Sequence, residues 1–146
     1  MEIEVKIDPT RAENKVVIYT ARMSEEIQLL IDKLSEQSMH MITGFSHEKL
    51  TVLDQDKIIR VYADTGKVYA QTEDGKYTLR LRLYEAEERL DRNDFVRISH
   101  SEIINIRKTR HFDFGYTGTI QVELSDGSSA WVSRRYVGKI KKILGI

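Results

Sequence analysis

Cysteine is absent from this chain of 146 residues. Its absence excludes disulfides, thiolate metal centres and cysteine nucleophiles, and it matches a reducing cytoplasm. Proline occurs once, at Pro9, so no Pro-rich linker is expected. The eight glycines form neither a GxGxxG turn nor a Walker loop, which leaves nucleotide hydrolysis without a motif. No apolar run approaches the roughly 18 residues that a membrane helix requires. The first residues, MEIEVKI, alternate charge with aliphatics, unlike a signal peptide. The four histidines, His40, His47, His100 and His111, share no ligand spacing with a carboxylate, so neither a metal nor a cofactor is expected. These absences predict a soluble cytoplasmic chain of one domain plus a small appendage.

An excess of charge is missing as well, because 23 Lys+Arg balance 23 Asp+Glu. The balance is uneven along the chain. Residues 1–37 hold five basic and eight acidic side chains, whereas residues 97–146 hold nine basic and four acidic. A basic C-terminal part points to an anionic partner there.

Hydrophobic periodicity supplies the architecture. Ile3, Val5 and Ile7 alternate with charges, and KVVIYT (15–20) is β-branched, so two strands joined by a turn at Pro9 are expected. Ser24 then caps a helix with Glu25 and Glu26 in its first turn and Ile27, Leu30, Ile31 and Leu34 on one stripe. This β-β-α unit over 1–37 is too small to bury its own core, so it is expected to serve dimerisation or partner binding. From Ser38–Gly44 onward the pattern is strand-rich. Strands are expected at 39–45, 50–53, 57–63, 67–72, 77–83, 111–115, 119–124 and 129–132, with Asp74-Gly75 and Asp126-Gly127 as tight turns. Tyr77 and Trp131 fall at inward positions of that alternation. YEAEERL (84–90) reads as a short helix, and Ser133 caps a final one carrying Tyr136, Val137, Ile140, Ile143 and Leu144 inward. The expected fold is mainly β with peripheral short helices.

Chemistry concentrates in FVRISHSEIIN (95–105) and SRRYVGKIKKI (133–143). Ser99, His100, Asn105 and Arg135 can meet base edges and Arg97, Arg107, Lys108 and Lys139 can meet phosphates, with Ser101 and Arg134 as further candidate contacts beside them. On a strand, Ser99 and His100 would point to opposite faces and could not form a nucleophile–base pair. Arg134 and Arg135 occupy the first turn of a helix, where the dipole disfavours cations, which suggests that an anion meets that end. No catalytic constellation is present, so no enzymatic activity and no small-molecule substrate is expected.

Taken together, FVRISHSEIIN, the Asp-Gly turn and VSRRYVGKIK, with IIRVYADTGKVYAQTEDGKYTLRLRLYEAEERL upstream, resemble the LytTR-type DNA-binding domain of bacterial transcription regulators. The resemblance spans residues 41–146. It implies an antiparallel β-sheet domain that inserts loops, rather than a recognition helix, into successive major grooves of repeated half-sites. Three regions would carry the contacts: the loop at Gly66-Lys67, the Arg97–Asn105 segment, and the entry to the last helix. There Arg135 aligns with a base-reading arginine and Ser133 with a phosphate-side serine. The family commonly has a His followed by a basic residue in the second region, and Ser99-His100 departs from that pattern, leaving open which of the two meets a base. No receiver domain precedes the segment, so the resemblance implies a stand-alone regulator, acting on double-stranded DNA as a homodimer, with a small membrane protein as a possible controlling partner. A competing reading treats Arg134-Arg135 as the anion site of a cyclic-dinucleotide or protein-interaction module, although the Asp/Asn-x-Ser-x-x-Gly element paired with tandem arginines in such sensors is missing.

Overall fold

The computed structural model describes residues 1–35, 41–115 and 118–146. The chain divides into two compact units, Met1–Ser35 and Glu36–Ile146.

In the first unit only the helix forms, α1 over Glu25–Ser35. Ser24 caps it, its Oγ accepting from the Ile27 N–H at 3.3 Å. The turn at Pro9 also forms, with Asp8 Oδ1 accepting from the Thr10 amide at 3.0 Å and from its hydroxyl at 2.6 Å. The two strands expected around it do not. Ile3, Val5 and Ile7 remain more than 80% exposed and carry no ladder hydrogen bonds. An isolated two-strand hairpin is marginal in water, and alternation alone provides no third strand on which to bury its apolar face.

The second unit is built on a seven-stranded sheet. Its strands are β1 (Ile42–Ser46), β2 (Lys49–Leu53), β3 (Ile58–Asp64), β4 (Lys67–Thr72), β5 (Gly75–Leu79), β6 (Phe95–Arg97) and β7 (Glu102–Asn105), in the spatial order β2-β1-β5-β4-β3-β7-β6. Every pairing is antiparallel. Part of the seam expected at Ser38–Gly44 lies outside the described residues, and β1 begins at Ile42. The β1–β2 and β3–β4 connections are two-residue turns with positive φ at both positions, His47-Glu48 and Thr65-Gly66, as the twist of tight hairpins requires.

Neighbouring residues feed two cores, one on each face of the sheet. Ile58, Phe95 and Ile103 join the first, with Ile42, Val61, Val68, Ala70 and Leu79. Ile59, Val96 and Ile104 join the second. The helix α2 (Leu83–Arg89) closes the first core with Leu83 and Ala86. The expected strand 77–83 therefore ends early: Leu79 closes β5, and Leu83 is buried from a helix whose entry Glu85 supports by accepting from the Arg82 amide.

A three-stranded sheet, β8 (Thr109–Phe114), β9 (Ile120–Leu124) and β10 (Ser129–Val132), packs on the second face together with α3 (Arg134–Leu144). Ile120, Val122, Leu124, Ala130 and Val132 point inward, and Ile140 of α3 is fully buried among them. Alternation then carries Trp131 outward, 57% exposed, against the inward position expected for it, and Ile143 is also half exposed. Tyr77 does pack against the first core. Among the described residues no helix is long and apolar enough to cross a membrane.

Gly44 shows how closely β1 and β5 approach. A Cβ at this buried position would stand 2.6 Å from the Tyr77 Cβ and 3.1 Å from a Leu53 methyl. Gly44→Ala is expected to lower stability by about 1–2 kcal/mol, as overpacking a closed core does. The check is a urea midpoint, which should fall with an unchanged m-value.

Candidate nucleic-acid interface

Two backbone hydrogen bonds bring the three expected contact regions to one end of the second unit. The Ala63 N–H donates to Ser101 O at 2.8 Å, tying the end of β3 to the β6–β7 turn. The Ser133 N–H donates to Ile98 O at 2.9 Å, tying the entry of α3 to the same turn. Lys67, just beyond Thr65-Gly66, thus shares an end with Ser99, His100, Ser101, Ser133, Arg134 and Arg135. They come from three separate segments of the chain.

The β6–β7 turn is held from behind. Arg97 Nε donates to Ser99 O at 2.7 Å, and its guanidinium also donates to His100 O and pairs with Glu87 at 3.5 Å. Its side chain is only 13% exposed, so Arg97 shapes the turn instead of standing free for a phosphate. Ser99 Oγ accepts from the Ser101 N–H at 3.3 Å, while His100 and Ser101 face solvent. Ser99 and His100 lie in a turn and not on a strand, and the serine is engaged with Ser101, not with the imidazole.

Behind the same turn Arg60 and Glu102 pair at 3.0 Å, both mostly buried, and Arg60 also donates to Ser129 O at 3.2 Å. Burial pushes the Glu102 carboxyl above its ordinary range, and Arg60 offsets only part of that rise. The pair ties β3, β7 and β10 together. Nothing in the local pattern announced it, because its members lie 42 residues apart.

At the third region Ser133 stands at the N-cap position in extended conformation, but its hydroxyl makes no capping bond. That corrects the expected cap and leaves the hydroxyl available at the helix entry. Arg134 and Arg135 are exposed in the first turn of α3, and Lys139 is exposed further along it. Lys139 also lines a cavity of about 500 Å³ with Tyr84, Glu87, Glu88, Arg92 and Ile143; Arg134 and Arg135 do not contribute to it. An enclosed ligand site around the arginine pair, as a nucleotide sensor would need, gains no support from that cavity.

Ion pairing separates the cations into two groups. Arg107 bonds Asp94 at 2.6 Å and Lys108 bonds Glu73 at 2.6 Å. Both sit in the 3₁₀ turn Ile106–Lys108 after β7, one strand length of roughly 13 Å from the Ser99–Ser101 turn. Lys67, Arg134, Arg135 and Lys139, by contrast, have no carboxylate within 4.0 Å among the described residues. Asn105 also leaves the expected contact set. Its side chain is 2% exposed, its Nδ2 donates to Ile58 O at 2.9 Å, and its Oδ1 accepts from the Arg107 N–H at 3.0 Å. Of the expected contacts, then, Arg97 is structural support, while Asn105, Arg107 and Lys108 lie at the opposite end of β7.

The LytTr DNA-binding domain family model matches residues 48–145 of the chain. Uncharacterised HTH-type transcriptional regulators from Staphylococcus aureus strains NCTC 8325 and COL are 29% identical over 147 residues, covering all of this chain and 99% of theirs. The fold is similar to the solved LytTr DNA-binding domain of a methyl-accepting/DNA response regulator from Bacillus cereus, with a TM-score of 0.70 and 22% identity over 73% of this chain and 98% of that one.

Proposed function

The chain belongs to the LytTr DNA-binding domain family, and from that premise we propose that it is a transcription regulator that reads repeated half-sites of double-stranded DNA as a homodimer. The observation that carries the reading is the convergence of three loops at one end of the sheet, made by the Ala63–Ser101 and Ser133–Ile98 bonds. Lys67, Arg134 and Arg135 bring cations there that have no carboxylate within 4.0 Å among the described residues. His100, Ser101 and Ser133 add donors and acceptors suited to base edges and phosphates.

In this reading the β6–β7 turn and the entry of α3 supply base contacts, and the Thr65-Gly66 hairpin places Lys67 on the backbone. The contacts come from loops on a rigid sheet: among the described residues α2 and α3 are separated by strands throughout, so no helix pair forms a helix-turn-helix. The first unit supplies the second copy's contact in this reading, because Leu29 and Leu34 of α1 are more than half exposed.

The test is unbiased selection of bound duplexes from a random DNA pool at roughly physiological salt. Enrichment of a short motif repeated about one helical turn apart is expected. Salt-sensitive binding without enrichment would defeat the specific reading. Light scattering of the protein with the selected duplex should give two chains per pair of half-sites, and a single chain would defeat the homodimer.

A further inference from the structure

One face of the seven-stranded sheet is covered by β8–β10 and α3 only over its β3-β7-β6 side. Over β1, β4 and β5 the same face keeps half-buried to exposed side chains among the described residues. Register places Phe45 beside Thr78, Thr78 beside Tyr69 and Tyr69 beside Tyr62, so these side chains share a face. Val68, Ala70 and Leu79 alternate into the core on the other side. The outward residues of the three strands are therefore Thr43 and Phe45, Lys67, Tyr69 and Gln71, and Lys76 and Thr78: no carboxylate is among them.

The cations of this face are seated on its rings. Lys76 Nζ lies 4.0 Å from the Tyr69 centroid and 5.7 Å from that of Tyr62, and the two rings stack at 5.6 Å. Arg80, the residue after β5, holds its guanidinium carbon 4.2 Å from the Phe45 centroid. Neither Lys76 nor Arg80 has a carboxylate within 4.0 Å among the described residues. A ring beneath a guanidinium restrains it at little entropic cost while its N–H groups stay open to a two-toothed anion such as phosphate. Two acids border this region: Asp64, cross-strand from Lys67 on β3, and Asp126, which bonds Gln71.

The patch is continuous with the loop end. Val68 pairs with Leu79, so Lys67 and Arg80, the next residues outward on adjacent strands, emerge together. We propose that this open face is a second nucleic-acid surface, on which Lys76 and Arg80 hold the phosphate backbone of the duplex flanking the half-site that the loops read. The inference rests on the DNA-binding reading above. It adds contacts outside the loops, insensitive to sequence, which lengthen the footprint.

Two labelled duplexes carrying the selected motif test it, one ending at the motif and one extended by about one helical turn on each side. Affinity is measured by anisotropy between roughly 50 and 200 mM salt. The parent protein should show a steeper salt slope on the longer duplex. The Lys76→Ala/Arg80→Ala variant should lose about 1.8 of that slope, two phosphate contacts at about 0.9 each, and show no change on the short duplex. The selected motif should be unchanged. Phe45→Leu, which removes the ring seat but no charge, should weaken binding of the longer duplex alone. Equal slopes for parent and double variant on the longer duplex, with matching thermal melts, would overturn the inference and leave the face to an acidic protein partner. A parent that selects no motif would instead defeat the function proposed above, so the two failures are distinguishable.

Discussion

Asn105→Ala is expected to lower the free energy of unfolding by about 3 kcal/mol and leave base preference intact. The alanine would leave the buried Ile58 carbonyl without its 2.9 Å partner, at a cost of roughly 1–3 kcal/mol. It would also strip the 3₁₀ turn Ile106–Lys108 of the side chain that accepts from the Arg107 N–H, a cap worth roughly 0.5–2 kcal/mol in comparable settings. The site is 2% exposed, so water offers little compensation. For a unit of this size the loss should appear as a melting temperature lower by roughly 10 °C. Below that temperature the variant should enrich the same DNA motif as the parent. Parental stability combined with lost discrimination at one base would mean that Asn105 is a reader after all.

The same residue marks the limit of what the chain shows on inspection. Alternation over Lys67–Thr72 and β-branched runs elsewhere locate eight of the ten described strands of the second unit to within a few residues, because sheet burial imposes a period of two that is written locally; β6 and β7 fall in the stretch 95–105, where no strand bounds were expected. Polar residues carry no such stamp. Asn105 in a polar stretch looks like a base reader until Ile58, 47 positions away, is placed beside it. Arg97 looks like a phosphate contact until the turn it bonds folds over it, and Arg107 and Lys108 until Asp94 and Glu73 arrive from the turns before β6 and after β4.

The converse also holds. Alternation over 77–83 turns Arg80 outward, and only the packing of β1 beside β5 seats it on Phe45. At the N-terminus alternation misleads in another way. MEIEVKI has the period of a strand, but period specifies which face would be buried and supplies nothing to bury it against. The expectation that resemblance carried best was the antiparallel sheet fold, since it concerned the order of elements and not any side chain's partner.

Arg135→Ala is expected to reduce affinity for the selected duplex by about five- to 150-fold, the roughly 1–3 kcal/mol that a bidentate base contact is worth, and to relax the requirement at one base pair. Both arginines at the start of α3 stand where the helix dipole is positive, with no carboxylate among the described residues within 4.0 Å to offset it. An anionic duplex relieves that repulsion, which makes binding and not folding the process that gains from them. Their removal should therefore leave the melting temperature unchanged or slightly higher. Arg135→Lys should not restore base preference, because an ammonium cannot present two parallel donors to one base edge. Arg134→Ala should weaken all duplexes evenly and lower the salt slope by about 0.9. Lys108→Ala supplies the contrast. It removes a cation already bound to Glu73 at the far end of β7, so its effect on the selected duplex should be small. Anisotropy against the selected duplex and its single-base variants, over a series of salt concentrations, measures all four. If Lys108→Ala costs more specificity than Arg135→Ala, the DNA approaches the opposite end of the sheet, and the convergence of the three loops serves something other than base reading.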